Sequence, residues 1–165
     1  MNNDLISRKY ELTEEKKVFL GRTLYRIRAL KDFELLDGTI IHAGDLGGWV
    51  EKEDNLSQEG SAWVYGNARV YGNALVYGNA WVYGNARVYR IEHIMTFGPA
   101  GSRNGTTTFY RNKNNGISVT CGCFNGSIEG FLARVNETHG DNKHGQVYRA
   151  AAELAKLQID LEDVE

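Results

Sequence analysis

Proline is almost absent from this chain: Pro99 stands alone among 165 residues. Cysteine is as scarce, with only Cys121 and Cys123, and there are four histidines. Two cysteines cannot build a disulfide framework. No apolar run approaches the roughly 20 residues that a helix needs to cross a bilayer, so no membrane partner is expected. The opening stretch MNNDLISRKYELTEEKK lacks the apolar centre of a secretory signal. The chain also lacks an excess of charge. Its 19 basic and 21 acidic residues leave a formal net charge of -2. That removes the electrostatic drive toward duplex nucleic acid, although a local basic patch stays open. What the chain has in quantity is glycine, 19 residues. Glycine without proline points to many tight turns rather than a flexible linker. The length fits one domain, or one domain with appendages.

The glycines sit in a repeat. From Ser61 to Tyr89 the unit Ala-x-Val-Tyr-Gly-Asn recurs every six residues. In an extended segment alternate side chains share a face. Ala62 and Val64 therefore point one way, and Trp63 and Tyr65 the other. Gly66-Asn67 turns the chain, since both residues tolerate positive φ. Such a unit could close two-residue hairpins in an antiparallel meander. It could equally turn the corners of a parallel β-helix. The variable position separates these readings. It reads Trp63, Arg69, Leu75, Trp81, Arg87, so tryptophan and arginine each return eighteen residues on. Three six-residue sides make a triangular coil of that length, and a meander supplies no reason for a three-step cycle.

The repeat Val-Tyr-Gly-Asn-Ala-x resembles the hexapeptide repeat of left-handed β-helix proteins. Val64, Val70, Val76, Val82 and Val88 match the aliphatic first place, and Ala68, Ala74, Ala80 and Ala86 the small fifth place. Tyrosine at the second place departs from that pattern. The version rich in Gly-Asn-Ala resembles uncharacterised bacteriophage and prophage proteins. The resemblance covers about Val50 to Tyr89 and extends to the opening Ala43-Gly44-Asp45-Leu46-Gly47-Gly48-Trp49-Val50. It implies a mainly β protein: a short left-handed parallel β-helix of about two to three triangular coils. An N-terminal β-hairpin and a C-terminal strand-strand-helix-helix α+β module flank it. The expected divisions are 1–45 for the hairpin region, 46–90 for the repeat and 91–165 for the C-terminal module.

Within the N-terminal part, Lys9 to Leu12 and Thr23 to Leu30 alternate as strands around a polar turn at Thr13 to Lys17. A second short pair is expected at Phe33 to Leu35 and Ile40-Ile41, joined by Asp37-Gly38. Between Gly47 and Gly60 the hexad is degenerate. Val50 and Leu56 fall at alanine places, and Lys52 and Gln58 at valine places. This reads as a worn first coil or a cap against edge pairing. After Tyr89, strands are expected at 91–97, 106–111 and 117–124. Ser127 and Asp141 would cap two helices. Ile128, Phe131, Leu132 and Val135 would face the core from the first, and Val147, Ala151, Leu154 and Leu157 from the second.

The functional readings follow from what projects outward. Trp63, Tyr65, Trp81 and Tyr83 form an aromatic ladder away from the Val/Ala interior. A contiguous exposed ladder marks a partner surface, expected here as a homo-oligomer interface of a trimer or a multiple of it. Coverage by the rest of the chain is the other reading. No phosphate loop and no dinucleotide fingerprint is present, so no enzyme activity and no cofactor are expected. Cys121-x-Cys123 would place two sulfurs on one strand face as buried small residues, and His139 with His144 and Asp141 lacks the further ligands a metal needs. The stretch Gly101 to Thr108 gathers Ser102, Arg103, Asn104, Gly105, Thr106 and Thr108. A guanidinium, hydroxyls and glycine-freed amides suit a phosphate; an ordinary loop is the plainer reading. Tyr110 could stack on a base, and Arg69 and Arg87 offer a second cationic face. The expectation is a non-enzymatic, oligomeric phage-type protein that sequesters a small anionic, nucleotide-like ligand, such as a host-defence signal, in the cytoplasm of a host. A protein-binding inhibitor or adaptor using the Trp/Tyr face, and an acyl-CoA-dependent acyltransferase, are the alternatives. The absence of histidine from Ser61 to Tyr89 weighs against the last.

Overall fold

The computed structural model describes residues 8–35 and 37–162. The first seven residues, on which part of the N-terminal reading rests, and Leu36 lie outside them. Among the described residues the chain is mostly β, with two helices at the C-terminal end, and no helix is long and apolar enough to cross a membrane.

The hairpin comes first. Strand β1 (Tyr10–Phe19) pairs antiparallel with β2 (Arg22–Ala29). The expected turn at Thr13 to Lys17 is instead strand, with a bulge between Leu12 and Lys16. The turn falls at Leu20 and Gly21, where φ is 51° and 76°. Two positive φ values in a two-residue loop match the twist of the flanking strands. That geometric demand overrides the polarity of the residues at 13–17. Short strands β3 (Phe33–Glu34) and β4 (Ile40–Ile41) pair as the sequence predicts.

Strand β5 (Leu46–Val50) joins the hairpin to the repeat. It is antiparallel to β2 on one side and parallel to β7 (Arg69–Val70) on the other, and β7 is parallel to β9 (Arg87–Val88). A second parallel ladder joins β6 (Trp63–Val64) to β8 (Trp81–Val82), and a bridge joins Leu56 to Val76. The eighteen-residue return is thus physical: Trp63 lies beside Trp81, and Arg69 beside Arg87. The glycines at 66, 72, 78 and 84 all have φ between 62° and 73° and turn the corners. The valines and alanines of the repeat are buried in one cluster. Each buried valine contributes on the order of 1.5 kcal/mol or more.

The degenerate stretch joins the same parallel ladders, but in another register. Val50 pairs with Val70 and Leu56 with Val76. They therefore occupy valine places, not alanine places, because two extra residues lie between Leu56 and Val64 relative to the coil above. Released from the hexad, Gln58 serves the hairpin. Its Oε1 accepts from the backbone N–H of Lys9 (2.8 Å) and Tyr10 (3.1 Å), and its Nε2 donates to the Tyr10 carbonyl.

Trp63 corrects the aromatic ladder. It is completely buried, beneath Tyr10 and Phe33 at ring distances of 6.4 and 5.1 Å. A Cβ on Gly47 would come within 2.7 Å of its indole, so glycine lets β5 pass over the ring. Trp81 is half-buried. The N-terminal strands cover Trp63, because the hairpin extends the adjoining β5–β7–β9 sheet and lays Tyr10 against the indole. Tyr71 and Tyr89 are also buried and stack at 5.0 Å. What remains at the surface is Tyr65, stacked on Tyr83 at 5.1 Å, with Leu75 and Tyr77.

The C-terminal module has four antiparallel strands in sequence order: β10 (Ile94–Ala100), β11 (Gly105–Arg111), β12 (Ile117–Cys121) and β13 (Phe124–Ser127). Helices α1 (Ile128–His139) and α2 (Lys143–Gln158) pack with this sheet through Phe109, Val119, Phe131, Tyr148 and the helical alanines. Ser127 caps α1 by accepting from Gly130 N–H. Asn142, not Asp141, caps α2, accepting from Gly145 N–H at 2.9 Å. The buried face of α2 is Tyr148, Ala151, Ala152 and Ala155. Leu154 and Leu157 are exposed, against expectation. Small residues on α2 permit the close helix packing that leucine would block.

The other face of the sheet closes the solenoid. Thr108 Oγ1 accepts from Trp81 N–H, and Thr120 Oγ1 donates to the Trp81 carbonyl at 2.7 Å. Tyr110 Oη accepts from Tyr83 N–H and donates to the Tyr83 carbonyl. Lys113 N–H donates to the Asn85 carbonyl at 3.0 Å. An open coil end would leave these backbone groups unpaired, which is a template for further strand addition. Hydroxyls of β11 and β12, together with the Lys113 N–H, satisfy them here. At the corner after the last repeat, buried His93 accepts through Nδ1 from the N–H groups of Tyr89 and Arg90. Burial, and secondarily the Arg111 charge, push its pKa down to about 4, so the ring is neutral at ordinary pH.

Candidate functional site

Ser102, Arg103, Asn104, Gly105 and Thr106 fall in one cleft and Arg69 and Arg87 in another, and the two share no lining residue. The first, of about 440 Å³, lies in the C-terminal module. The β10–β11 loop and the start of β11 form one wall with Ser102, Arg103, Asn104, Gly105 and Thr106, and α1 forms the other with Phe131, Arg134, Val135 and Thr138. Those four helical positions follow an i, i+3, i+4, i+7 spacing, which places them on one face. Phe124 and Tyr148 complete the floor. Phe131 packs against Phe124 at 5.8 Å and edge-on to Tyr148 at 5.6 Å, while the Arg134 guanidinium lies 5.9 Å from the Phe124 ring.

The loop is seated firmly. Gly101 has φ 75°, and a Cβ there would stand 2.1 Å from the Tyr148 hydroxyl. Only glycine allows the loop to rest on that oxygen. Burial, then the neighbouring Cys121, push the Tyr148 hydroxyl up to about 12, so it remains a protonated donor. Thr107 Oγ1 donates to Cys121 Sγ at 3.2 Å. Cys123 does not share a strand face with Cys121, because Gly122 at φ 56° turns the chain between them. Both thiols are free. The His139 and His144 rings lie 5.5 Å apart, but Asp141 is fully exposed beside Arg149. Among the described residues no group of three or more His, Cys, Asp or Glu side chains could hold a metal. An aromatic floor with guanidinium groups at its rim suits a ligand with a flat apolar portion and an anionic group.

Two residues of the expected cradle are elsewhere. Thr108 and Tyr110 are buried against the solenoid and committed to the Trp81 and Tyr83 backbones. Alternation along β11 decides this: Thr107 and Phe109 face the helices, so Thr108 and Tyr110 face the coil. Conversely, sequence reasoning missed Arg134, Phe124 and Tyr148. The helical spacing of Phe131 and Arg134 was the available signal; the approach of Tyr148 from α2 had none.

The second cleft, of about 460 Å³, runs along the solenoid flank. Arg69 and Arg87 line it together with Lys17 from β1 and Lys113 from the β11–β12 loop, and the Gly66-Asn67 and Gly84-Asn85 corners form its base. Sequence reading identified the two arginines but not the lysines, which arrive from distant segments.

The repeat has a known relative. The YdcK β-solenoid repeat family matches residues 62–78 and again 68–84. The chain carries β-solenoid repeats of the hexapeptide type. It is 36% identical over 66 residues to the uncharacterized acetyltransferase YdcK of Escherichia coli (strain K12), covering 35% of this chain. The match spans 19% of the length of that relative. The family match lies within the repeat, and neither likeness assigns a role to the clefts.

Proposed function

We propose that the protein binds and sequesters a small anionic, nucleotide-like ligand in the cleft between the β10–β11 loop and α1, without turning it over. The observation that carries this reading is the joining of Arg103 and Arg134 to an aromatic floor of Phe124, Phe131 and Tyr148 in one cleft. Ring faces there suit a base, and the guanidinium groups suit phosphate. The solenoid is then an assembly and spacing device, of left-handed sense and about two to three coils by its hexapeptide register. Tyr65, Leu75 and Tyr77, which are 38%, 40% and 54% exposed, offer an apolar ladder for a homo-oligomer, a trimer or a multiple of it. Trp63 has no part in that contact. A phage origin, action against a host-defence signal and a cytoplasmic location belong to the same proposal and rest on the character of the repeat.

Titration calorimetry with cyclic dinucleotides and ADP-ribose derivatives tests the reading. Arg103→Ala should weaken binding by roughly 10- to 150-fold, the equivalent of about 1.5–3 kcal/mol for a charge-assisted contact. Arg103→Lys should recover only part of it, because lysine lacks the planar fork. No binding by the wild type to any member refutes it. The name of the YdcK relative supports a second reading, acetyl transfer. Turnover of acetyl-CoA by the purified protein would establish that reading in place of sequestration.

A further inference from the structure

The solenoid flank carries a concentration of positive charge that its own fold leaves uncompensated. Arg69 and Arg87 are directly paired neighbours on parallel strands. Like charges in that position repel and destabilise the ladder. Both guanidinium groups are held against Phe19, at 4.1 and 4.9 Å from its ring. The ring gathers the two charges by cation–π attraction rather than separating them. Lys17 and Lys113 line the same cleft, with the Lys17 ammonium resting 4.0 Å from the Trp49 ring.

No carboxylate lines this cleft. Among the described residues Lys17, Arg69, Arg87 and Lys113 make no ion pair. The nearby acids are engaged elsewhere: Glu15 with Arg26 at 3.5 Å, and Glu51 with Arg22 at 3.0 Å. Desolvation, then the Arg87 charge, lower the pKa of Arg69; desolvation, then Arg69 and Arg26, lower that of Lys17. A bound anion would relieve this repulsion.

The shape selects among anions. The base of the cleft is backbone and small polar groups from the Gly66-Asn67 and Gly84-Asn85 corners. Tyr83, the aromatic in the lining, is already stacked on Tyr65 at 13° between planes and meets Trp81 edge-on. This leaves four cations around a polar floor and little ring surface for a base. We infer that this cleft is a site for a compact, multiply charged phosphate chain, distinct from the cleft at Arg103. The inference stands apart from the proposed function, since no lining residue is shared.

Titration calorimetry of the intact chain with inorganic tripolyphosphate, at about 50 mM salt, tests it. Saturable binding is expected. Lys113→Ala should weaken it about tenfold, the loss expected for one charge-assisted contact. The Lys113 side chain is exposed, so this variant keeps the fold, as circular dichroism would verify. Arg87→Ala should weaken binding at least as much. Arg103→Ala should leave tripolyphosphate affinity unchanged, which separates this site from the other cleft. A nucleoside triphosphate should bind no more tightly than tripolyphosphate. Absence of saturable binding, an unchanged affinity in folded Lys113→Ala, or loss of binding in Arg103→Ala each overturns the inference. A nucleoside triphosphate binding tenfold tighter overturns the assignment to the phosphate chain alone.

Discussion

Replacing Trp63 by alanine separates a packing role from an interface role. The indole is completely buried and is enclosed by side chains of its own chain: Tyr10 and Phe33 edge-on, with β5 close above through Gly47. Removing a buried tryptophan loses its transfer free energy and leaves a cavity, together about 3–5 kcal/mol. For a chain of this size that corresponds to a fall in melting temperature of roughly 6–20 °C. The hairpin would loosen first, since its inner face rests on this ring. Trp63→Phe should cost less, because phenylalanine keeps part of the edge-on contact. Urea denaturation followed by circular dichroism reads the stability, and light scattering reads the mass. The expected result is a large loss of stability with no change in mass per particle while the protein remains folded. A stability change below about 1 kcal/mol, within the range of ordinary surface substitutions, would refute the burial argument. So would a folded variant that dissociates.

Val76→Asp should abolish folding, since an unpaired carboxylate among Leu56, Val70 and Val82 costs several kcal/mol; a cooperative, unshifted thermal transition would contradict this. Thr120→Val keeps the shape but deprives the Trp81 carbonyl of its 2.7 Å donor, for an expected loss of about 1–3 kcal/mol by urea denaturation. For His93 the folded pKa, about 4, lies below the ordinary 6.5, so the unfolded chain binds more protons between these values. Stability should therefore be full above pH 6.5 and decline as pH falls toward 4. His93→Asn should flatten that decline when the urea midpoint is followed against pH.

The eighteen-residue return of tryptophan and arginine determined, by itself, that the repeat coils in three-step turns, because side-chain alternation and the Gly-Asn corners leave few other uses for such a period. The inward Val/Ala stripe was legible for the same reason, as was Ser127 at the start of α1. These are local rules, acting over a few residues. Only the tertiary structure decided which outward faces stay outward. Trp63 and Trp81 carry the same letter in the same repeat, yet the N-terminal strands bury the first completely, while the second is half-buried beside Thr108 and Thr120 of the C-terminal sheet. Thr108 and Tyr110 read as ligand residues, but a sheet approaching the open coil end recruits their hydroxyls to pair the Trp81 and Tyr83 backbones. Lys17 and Lys113 join Arg69 and Arg87 only because β1 and the β11–β12 loop arrive at one flank from opposite ends of the chain. The hexad carries no information about which segment will cover it. That depends on apolar area and unpaired backbone groups in segments distant in sequence, and packing alone brings them together.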